Sequence, residues 1–189
     1  MSKKLSEMSL EELWQLFPIY LTEYNESWAA WYAEEEKTIM EHFPATQIKR
    51  ISHIGSTAVK GIWAKPIIDI LVEVTHESDL QQVKPVLERV GYLCMSESVG
   101  RLSFNKGYTE NGFAERVFHL HLRKVGDNDE LYFRDYLNAH PDVMKEYEKL
   151  KLSLWKQYEQ NRDGYTERKT DFVKEYTQKA KEEFENRYI

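Results

Sequence analysis

Apolar residues follow two different spacings along this chain. Near both ends they recur every three or four positions, as in Phe172, Tyr176, Ala180 and Phe184, and this spacing predicts amphipathic helices. In the middle they occur in short continuous or alternating runs bounded by glycine and asparagine, which predict strands. The predicted helices cover residues 9–18, 26–43, 78–90, 129–138, 141–160 and 166–184, and the predicted strands cover residues 47–54, 66–74, 92–95, 101–106 and 116–123.

The strands therefore fill the middle of the chain and the helices its ends, which predicts an α+β fold. We expect one domain over residues 1–189, with N-terminal helices at 9–43, a sheet core at about 44–124 and a helical C-terminal part at 129–189. The C-terminal helices are expected to pack beside the sheet and to wall a cleft. Ser78 and Thr166 are the predicted caps of the helices that follow them.

The helix predicted at 26–43 carries two features that we interpret structurally. Trp28 and Trp31 are expected to pack against the core, as most aromatic side chains do, rather than to stack on a ligand. Residues 34–36 are three consecutive glutamates, and we expect them on the solvated side of the helix.

Composition and charge narrow the classes of function. The net charge of −6 argues against broad nucleic-acid binding, which depends on a basic surface, but it leaves room for a small basic pocket. One cysteine excludes an internal disulfide. No apolar run is long enough for a membrane span, and the N-terminus is polar, so we expect a cytoplasmic protein without membrane contact.

The stretch from residue 51 to residue 74 carries the strongest chemical signal. An apolar strand leads into Gly55 and Ser56, and the next strand carries Asp69 among isoleucine, leucine and valine residues. A carboxylate in such surroundings is costly to bury unless it is paired or bound to a metal. The backbone N–H groups of a glycine turn at a helix start can face an anion, and an aspartate can supply a hard oxygen ligand to Mg²⁺.

These residues resemble those of the GrpB family, whose fold is similar to that of the DNA polymerase beta-type nucleotidyltransferases. The resemblance runs from about Trp28 to the C-terminal helix. It implies a nucleotidyltransferase-like mixed sheet with flanking helices, Mg²⁺ as cofactor, and a nucleotide or phosphorylated small molecule as ligand. The segments that carry it are residues 54–57 (IGST), 64–70 (AKPIIDI), 118–122 (FHLHL), 133–137 (FRDYL) with 140–141 (HP), and 165–169 (YTERK).

The chain departs from the superfamily pattern at the second acidic position. In that pattern two acids alternate on one strand, about 6.6 Å apart at a rise of ~3.3 Å per residue, which suits two neighbouring metal ions. Here Leu71 stands two residues after Asp69. Glu73 shares the face of Asp69 but lies roughly 13 Å along the strand, too far to share an ion easily. This departure weakens the case for a two-metal mechanism.

A histidine pair is the second departure. His119 and His121 alternate onto one face of their strand, where the superfamily commonly has a carboxylate. In one interpretation both join Asp69 as metal ligands, and His121 acts with Asp69 in catalysis as an acid or base. In the other they belong to a hydrogen-bonded polar face of the sheet.

The candidate phosphate-binding residues are Gly55, Ser56, Thr57, Lys65 and Lys169. Ser56 has the alternative role of a helix N-cap, and Lys65 that of a loop residue. Lys169 is expected in the opening turn of the last helix, where a cation opposes the helix dipole and so suggests a nearby anion.

Arg134 and Asp135 are expected to form an ion pair that links the helical part to the sheet.

Three functions remain as candidates. The first function is Mg²⁺-dependent nucleotidyl transfer, and the second is binding of a nucleotide or phosphorylated metabolite without turnover. The third is a partner-binding protein that keeps the fold. The missing second acid favours the second function over what the fold alone suggests.

Overall fold

The computed structural model describes residues 3–43, 47–76 and 78–189, so residues 44–46, where the predicted sheet core begins, lie outside the described residues. The helices are α1 (Leu10–Leu16), α2 (Ser27–His42), α3 (Leu80–Arg89), α4 (Asp129–Ala139), α5 (Pro141–Tyr158) and α6 (Arg162–Phe184), with short 3₁₀ helices at Leu5–Glu7 and Ser56–Ala58. The strands are β1 (Ile48–Ile54), β2 (Ile68–Val74), β3 (Leu93–Ser98), β4 (Arg101–Thr109) and β5 (Gly112–Lys124).

The five strands form one mixed sheet in the order β1-β2-β5-β4-β3. Strands β2 and β5 run parallel, and every other neighbouring pair is antiparallel. The predicted α+β class, with strands in the middle of the chain and helices at its ends, is confirmed. In the part of the chain that is described, no helix combines the length and the apolar character that a membrane crossing requires.

One face of the sheet is apolar and holds the main core. Alternate residues of β2, from Ile68 to Val74, lie beside Phe118, Leu120 and Leu122 of the parallel strand β5. Helices α2 and α3 cover this face with buried side chains that include Trp28 and Leu87. The role predicted for Trp28, packing in the core, is confirmed.

The opposite face carries the polar residues at the centre of the sheet. The parallel register sets Asp69 beside His119, Leu71 beside His121, and Glu73 beside Arg123. Helices α4, α5 and α6 pack together near this face, and Leu131 of α4 clusters with Ile54 and Leu71. The alternation of β2 therefore separates an apolar core from the polar site.

Three local predictions were wrong. Helix α6 begins at Arg162 and is capped by Asn161, whose side chain accepts a hydrogen bond from the Gly164 N–H; Thr166 lies inside the helix. Helix α3 is capped by Asp79 rather than Ser78. Glu35 is buried rather than solvated, because Lys106 of β4 reaches across and pairs with it at 2.8 Å.

Candidate functional site

A glycine turn brings β1 over the carboxylate of Asp69. Gly55 follows β1 directly with φ +70°, a conformation that L side chains rarely adopt. A Cβ atom at this position would come within 2.4 Å of Asp69 Oδ2, so only glycine leaves room for the turn. The segment then forms a single 3₁₀ turn, Ser56–Ala58, capped by Gly55 and not by Ser56. Such a short turn supplies little helix dipole to an anion.

Asp69 lies next to both histidines of β5. Its Oδ1 atom is 3.5 Å from His119 Nδ1 and 3.8 Å from His121 Nε2, and its side chain is 28% exposed. Burial alone would raise the pKa of Asp69, but hydrogen bonding to and charge interaction with the two histidines outweigh it, and the pKa lies well below its usual range. Asp69 is therefore ionised at neutral pH.

A hydrogen-bond chain fixes the orientation of His119. Arg162 Nη1 donates to the Tyr108 hydroxyl at 2.9 Å, and that hydroxyl lies 2.8 Å from His119 Nε2. Burial lowers the pKa of His119, which favours the neutral ring. Each donor in this series of hydrogen bonds has an acceptor when the Tyr108 hydroxyl donates to His119 Nε2. The ring proton of His119 then lies on Nδ1, facing Asp69.

Three lysines gather beside this carboxylate, around two tyrosine rings. Lys169 Nζ lies 4.2 Å and Lys65 Nζ 5.6 Å from the centre of the Tyr165 ring, and Lys151 Nζ lies 5.0 Å from that of Tyr147. Among the described residues, the side chain of neither Lys65 nor Lys169 forms a hydrogen bond or an ion pair. Lys169 sits in the second turn of α6, so the argument that it opposes the helix dipole was wrong, although it does reach the site.

Lys151 of α5 is the residue that the sequence analysis missed. It is only 2% exposed, and its ammonium donates to Ser56 Oγ at 3.0 Å and to the Trp63 carbonyl. A signal was present, because Lys151 stands between Tyr147 and Leu154 on the apolar stripe of its helix. A cation on a buried stripe indicates either a partner or a ligand.

Burial lowers the pKa values of all three lysines. The pKa falls to about 8 for Lys65, about 7 for Lys151 and about 7 for Lys169, with loss of hydration as the main cause in each case. The charge of Lys65 lowers the pKa of both other lysines further, whereas Glu148 raises that of Lys151 and Asp69 raises those of Lys65 and Lys169. In the free protein the lysines are therefore only partly protonated at neutral pH, and full protonation would give three positive charges against the two carboxylates of Asp69 and Glu148.

These groups line a cavity of about 260 Å³, which we call the main cavity. It opens between the glycine turn, the polar face of the sheet and helices α4 to α6. The predicted residues that line it are Gly55, Ser56, Thr57, Lys65, Asp69, His119 and Lys169, and the lining also includes Lys151, Arg134, Tyr147 and Tyr165. His121 contacts Asp69 but is not part of this lining.

Two of the remaining candidates have internal roles. The hydroxyl of Thr57 donates to the Ile67 carbonyl at 3.2 Å and lies 2.9 Å from His53 Nε2, so it holds the turn in place. Glu73 is fully buried, pairs with Arg50 at 2.8 Å and accepts hydrogen bonds from the Gly126 N–H and the Asn128 amide. It is a structural ion pair and not a second site carboxylate.

The predicted link between the helical part and the sheet is confirmed. Arg134 of α4 pairs with Asp135 at 2.7 Å and donates to the His53 carbonyl of β1 at 2.8 Å. Tyr188 also accepts a hydrogen bond from Arg134, at 3.0 Å. Arg134 is therefore neutralised and anchored, unlike Lys65 and Lys169.

The donor atoms near Asp69 do not suit magnesium. Mg²⁺ prefers an octahedral set of oxygen ligands, whereas this position offers one carboxylate and two imidazole nitrogens. Leu71, at the second acidic position, is fully buried, and Glu73 is occupied by Arg50. Within residues 3–43, 47–76 and 78–189, no group of three histidine, cysteine or acidic side chains is arranged to hold a metal ion. The described residues therefore do not fit a magnesium site of the superfamily kind.

Comparison with known proteins identifies one family. The family model described as GrpB protein matches residues 18–179. The chain is 39% identical over 163 residues to the glutamate-rich protein GrpB of Alkalihalophilus pseudofirmus, covering 83% of this chain and 92% of that protein. It is 33% identical over 186 residues to the UPF0157 protein YqkA of Bacillus subtilis, covering 94% of this chain but only 52% of the relative.

A solved structure supports the same relationship. The crystal structure of the conserved protein GrpB from Enterococcus faecalis superimposes with a TM-score of 0.76 at 28% identity. The match covers 87% of this chain and 99% of that one.

Proposed function

We propose that this chain, which belongs to the GrpB family, binds the phosphate groups of a small phosphorylated molecule, with a nucleotide as the favoured ligand, in the main cavity beside Asp69. The observation that carries the proposal is the pair Lys65 and Lys169. Their ammonium groups flank the Tyr165 ring at 5.6 and 4.2 Å and form no hydrogen bond or ion pair among the described residues, and Asp69 is the one anion that raises the pKa of both. Partly buried lysines that lack a direct ion-pair partner are costly to charge, and a polyanion would supply further negative charge.

Lysines suit this role because an ammonium acts as a compact point charge toward phosphate. Lys151 would anchor Ser56 rather than contact the ligand first, since its ammonium already donates to Ser56 Oγ and the Trp63 carbonyl. The low pKa values of the three lysines belong to the free protein. A bound phosphate would raise them and complete the protonation of the cluster.

The size of the main cavity favours a nucleotide over a free phosphate ion. A volume of about 260 Å³ has room for roughly nine water molecules, at about 30 Å³ each. A phosphate ion would fill only a fraction of this space. The apolar side chains of Phe133 and Val173 also line the cavity and could contact a ring.

Nucleotidyl transfer is the second candidate function, favoured by the ionised Asp69 in the same cavity. In this reaction an acceptor hydroxyl would attack the α-phosphorus of a nucleoside triphosphate and pyrophosphate would leave. Asp69 would take the hydroxyl proton, and the lysines would stabilise the charge on the leaving group. With Leu71 in place of a second acid, we expect turnover to be slow.

Calorimetric titration with ATP tests the binding proposal. The wild type should bind ATP in the presence of EDTA, and Lys169→Gln should weaken the affinity by about tenfold or more, the factor for one lost charge-assisted hydrogen bond. Lys174→Gln is the matched control, because Lys174 lies on the same helix but is exposed and outside the main cavity. Circular dichroism checks that both variants fold.

Two results would contradict the proposal. One is the absence of binding by the wild type to ATP, ADP and inorganic tripolyphosphate, with or without Mg²⁺. The other is equal affinity of the two lysine variants. Pyrophosphate release in the same samples tests the transfer reaction separately, and binding without release would leave only the binding function.

A further inference from the structure

A second, smaller cavity of about 70 Å³ adjoins the main cavity. The two share Lys65 and Ile67 in their linings. The walls of the smaller cavity are largely aromatic and include Trp28, Trp31 and Phe113, and Arg162 supplies a cation. The function proposed above uses none of these last four residues.

Arg162 presents an unused pair of donors in buried surroundings. Its Nη1 atom donates to the Tyr108 hydroxyl at 2.9 Å, and its guanidinium carbon lies 5.8 Å from the centre of the Tyr108 ring. Its Nε and Nη2 atoms are buried and have no hydrogen-bond partner among the described residues. These two N–H groups lie on one edge of the guanidinium plane and point the same way, so they form a fork for two acceptor oxygens.

Trp28 adds a third donor of the same kind. It is 1% exposed and lines the smaller cavity, and its Nε1 atom is buried without an acceptor in the described part of the chain. Buried donors normally have a partner, and each exception calls for an explanation. Three unpartnered donor atoms on residues that line one cavity indicate that the cavity receives acceptor oxygens.

We propose that the smaller cavity is a carboxylate subsite, in which Arg162 binds both oxygens through Nε and Nη2 and Trp28 Nε1 donates a further hydrogen bond. The planar fork matches a planar carboxylate in a bidentate pair. A cavity of about 70 Å³ has the volume of roughly two water molecules, at about 30 Å³ each, so a carboxylate group with a short aliphatic stem fits. The aromatic walls suit its apolar stem.

The charges around the smaller cavity agree with an anionic ligand. Lys65 lines it together with Arg162, and the acid in the lining, Glu115, is exposed at the rim. The proposal goes beyond phosphate binding and does not depend on it. Through Lys65, however, a carboxylate here would lie beside a phosphorylated ligand in the main cavity, as an acceptor substrate or as a second group of the same molecule.

Titration with sodium propionate, followed by ¹H–¹⁵N correlation spectra of the full chain, tests the subsite. The side-chain Nε–H signals of Arg162 and Trp28 should shift saturably, and the neutral isostere propionamide should shift neither. Arg162→Lys keeps the charge but removes the fork, and should weaken propionate binding by about tenfold or more. Glu115→Gln removes the rim acid and should strengthen it. Trp28→Phe identifies the Trp28 signal among the five tryptophans.

Lys169→Gln separates this proposal from the phosphate proposal, because it should weaken ATP binding and leave the propionate shifts intact. The carboxylate assignment fails if propionate shifts neither signal, if propionamide shifts both equally, or if inorganic phosphate binds at Arg162 more tightly than propionate. Retained propionate affinity in Arg162→Lys, with the fold intact by circular dichroism, would also overturn it.

Discussion

Replacing Gly55 by alanine perturbs the geometry on which the site depends. The glycine has φ +70° and ψ −172°, and the turn passes directly over the Asp69 carboxylate. An added Cβ would lie 2.4 Å from Asp69 Oδ2 and 3.1 Å from its Cγ. The carboxylate would have to move, and its 3.5 Å contact with His119 would be lost.

Two effects determine the magnitude. The backbone conformation of Gly55 belongs to a region that is essentially restricted to glycine and costs other residues about 1–3 kcal/mol. Displacing the carboxylate adds the loss of a polar contact, of the order of 1 kcal/mol or more. We therefore expect Gly55→Ala to lower the free energy of unfolding by about 3 kcal/mol.

Gly61→Ala is the matched control. Gly61 also has a positive φ, +81°, but a Cβ there would meet no atom within 4 Å. This variant should show only the backbone cost of about 1–2 kcal/mol. Urea unfolding followed by tryptophan fluorescence measures both values.

A double-mutant cycle isolates the crowding at Asp69. In an Asp69→Ala background, the cost of Gly55→Ala should fall toward that of Gly61→Ala, because the obstructing carboxylate is gone. Equal destabilisation by Gly55→Ala and Gly61→Ala in the wild-type background would refute the reasoning, since it would mean that a Cβ atom at residue 55 does not clash with the Asp69 carboxylate.

Three further predictions concern buried groups. Leu71→Asp should destabilise the protein by several kcal/mol in urea unfolding, and should not create a metal site, because Leu71 is fully buried; near-wild-type stability would contradict this. Arg50→Met should cost about 3–5 kcal/mol in the same assay, because it strands the buried Glu73 carboxylate; a loss below 1 kcal/mol would show that the Glu73 hydrogen bonds suffice. Burial lowers the pKa of His53 from 6.5 to about 4, so the folded state binds fewer protons than the unfolded chain in this range. Stability should then fall as the pH drops from 6.5 to 4, and His53→Gln should reduce that slope in pH-dependent melting; an unchanged slope would refute it.

Local spacing predicted most of the fold. Alternation along the second strand predicted that Glu73 would share the face of Asp69, and the structure places both on the polar face of the sheet. The first predicted helix is also present, because Ser9 and Glu12 form a capping box that depends only on residues three apart. Predictions of this kind succeed when the deciding interaction lies within one element.

Long-range partners account for what the sequence did not predict. Whether Glu73 belonged to the site depended on Arg50, a residue of the neighbouring strand. The importance of Lys151 depended on α5 packing against the Ser56 turn. Arg162 became a candidate binding residue only because the folded structure leaves two of its buried donor atoms without an acceptor among the described residues. Each of these facts joins residues that are far apart in the chain.

The resemblance predicted the family correctly, but the cofactor that it implied does not follow from the residues present. Asp69 and His119 do line one cavity, as expected from their alternation on two neighbouring strands. The missing second acid was already visible at Leu71. What the sequence alone could not indicate was that lysines from three separate segments would gather beside Asp69.

Proton uptake on ATP binding at pH 8.5 tests the central claim most directly. The pKa values of Lys65, Lys151 and Lys169 are about 8, 7 and 7, so these groups are largely neutral at that pH in the free protein. The terminal phosphate has already lost its second proton, whose pKa is near 6. A phosphate bound among the lysines would raise their pKa values, and calorimetry in buffers of different ionisation enthalpy should register uptake of about one to two protons. At pH 6 the uptake should disappear or turn into a net proton release, because the lysines are already charged and the terminal phosphate is about half protonated before it binds. Binding at pH 8.5 without proton uptake would contradict the claim that the lysines hold the phosphate.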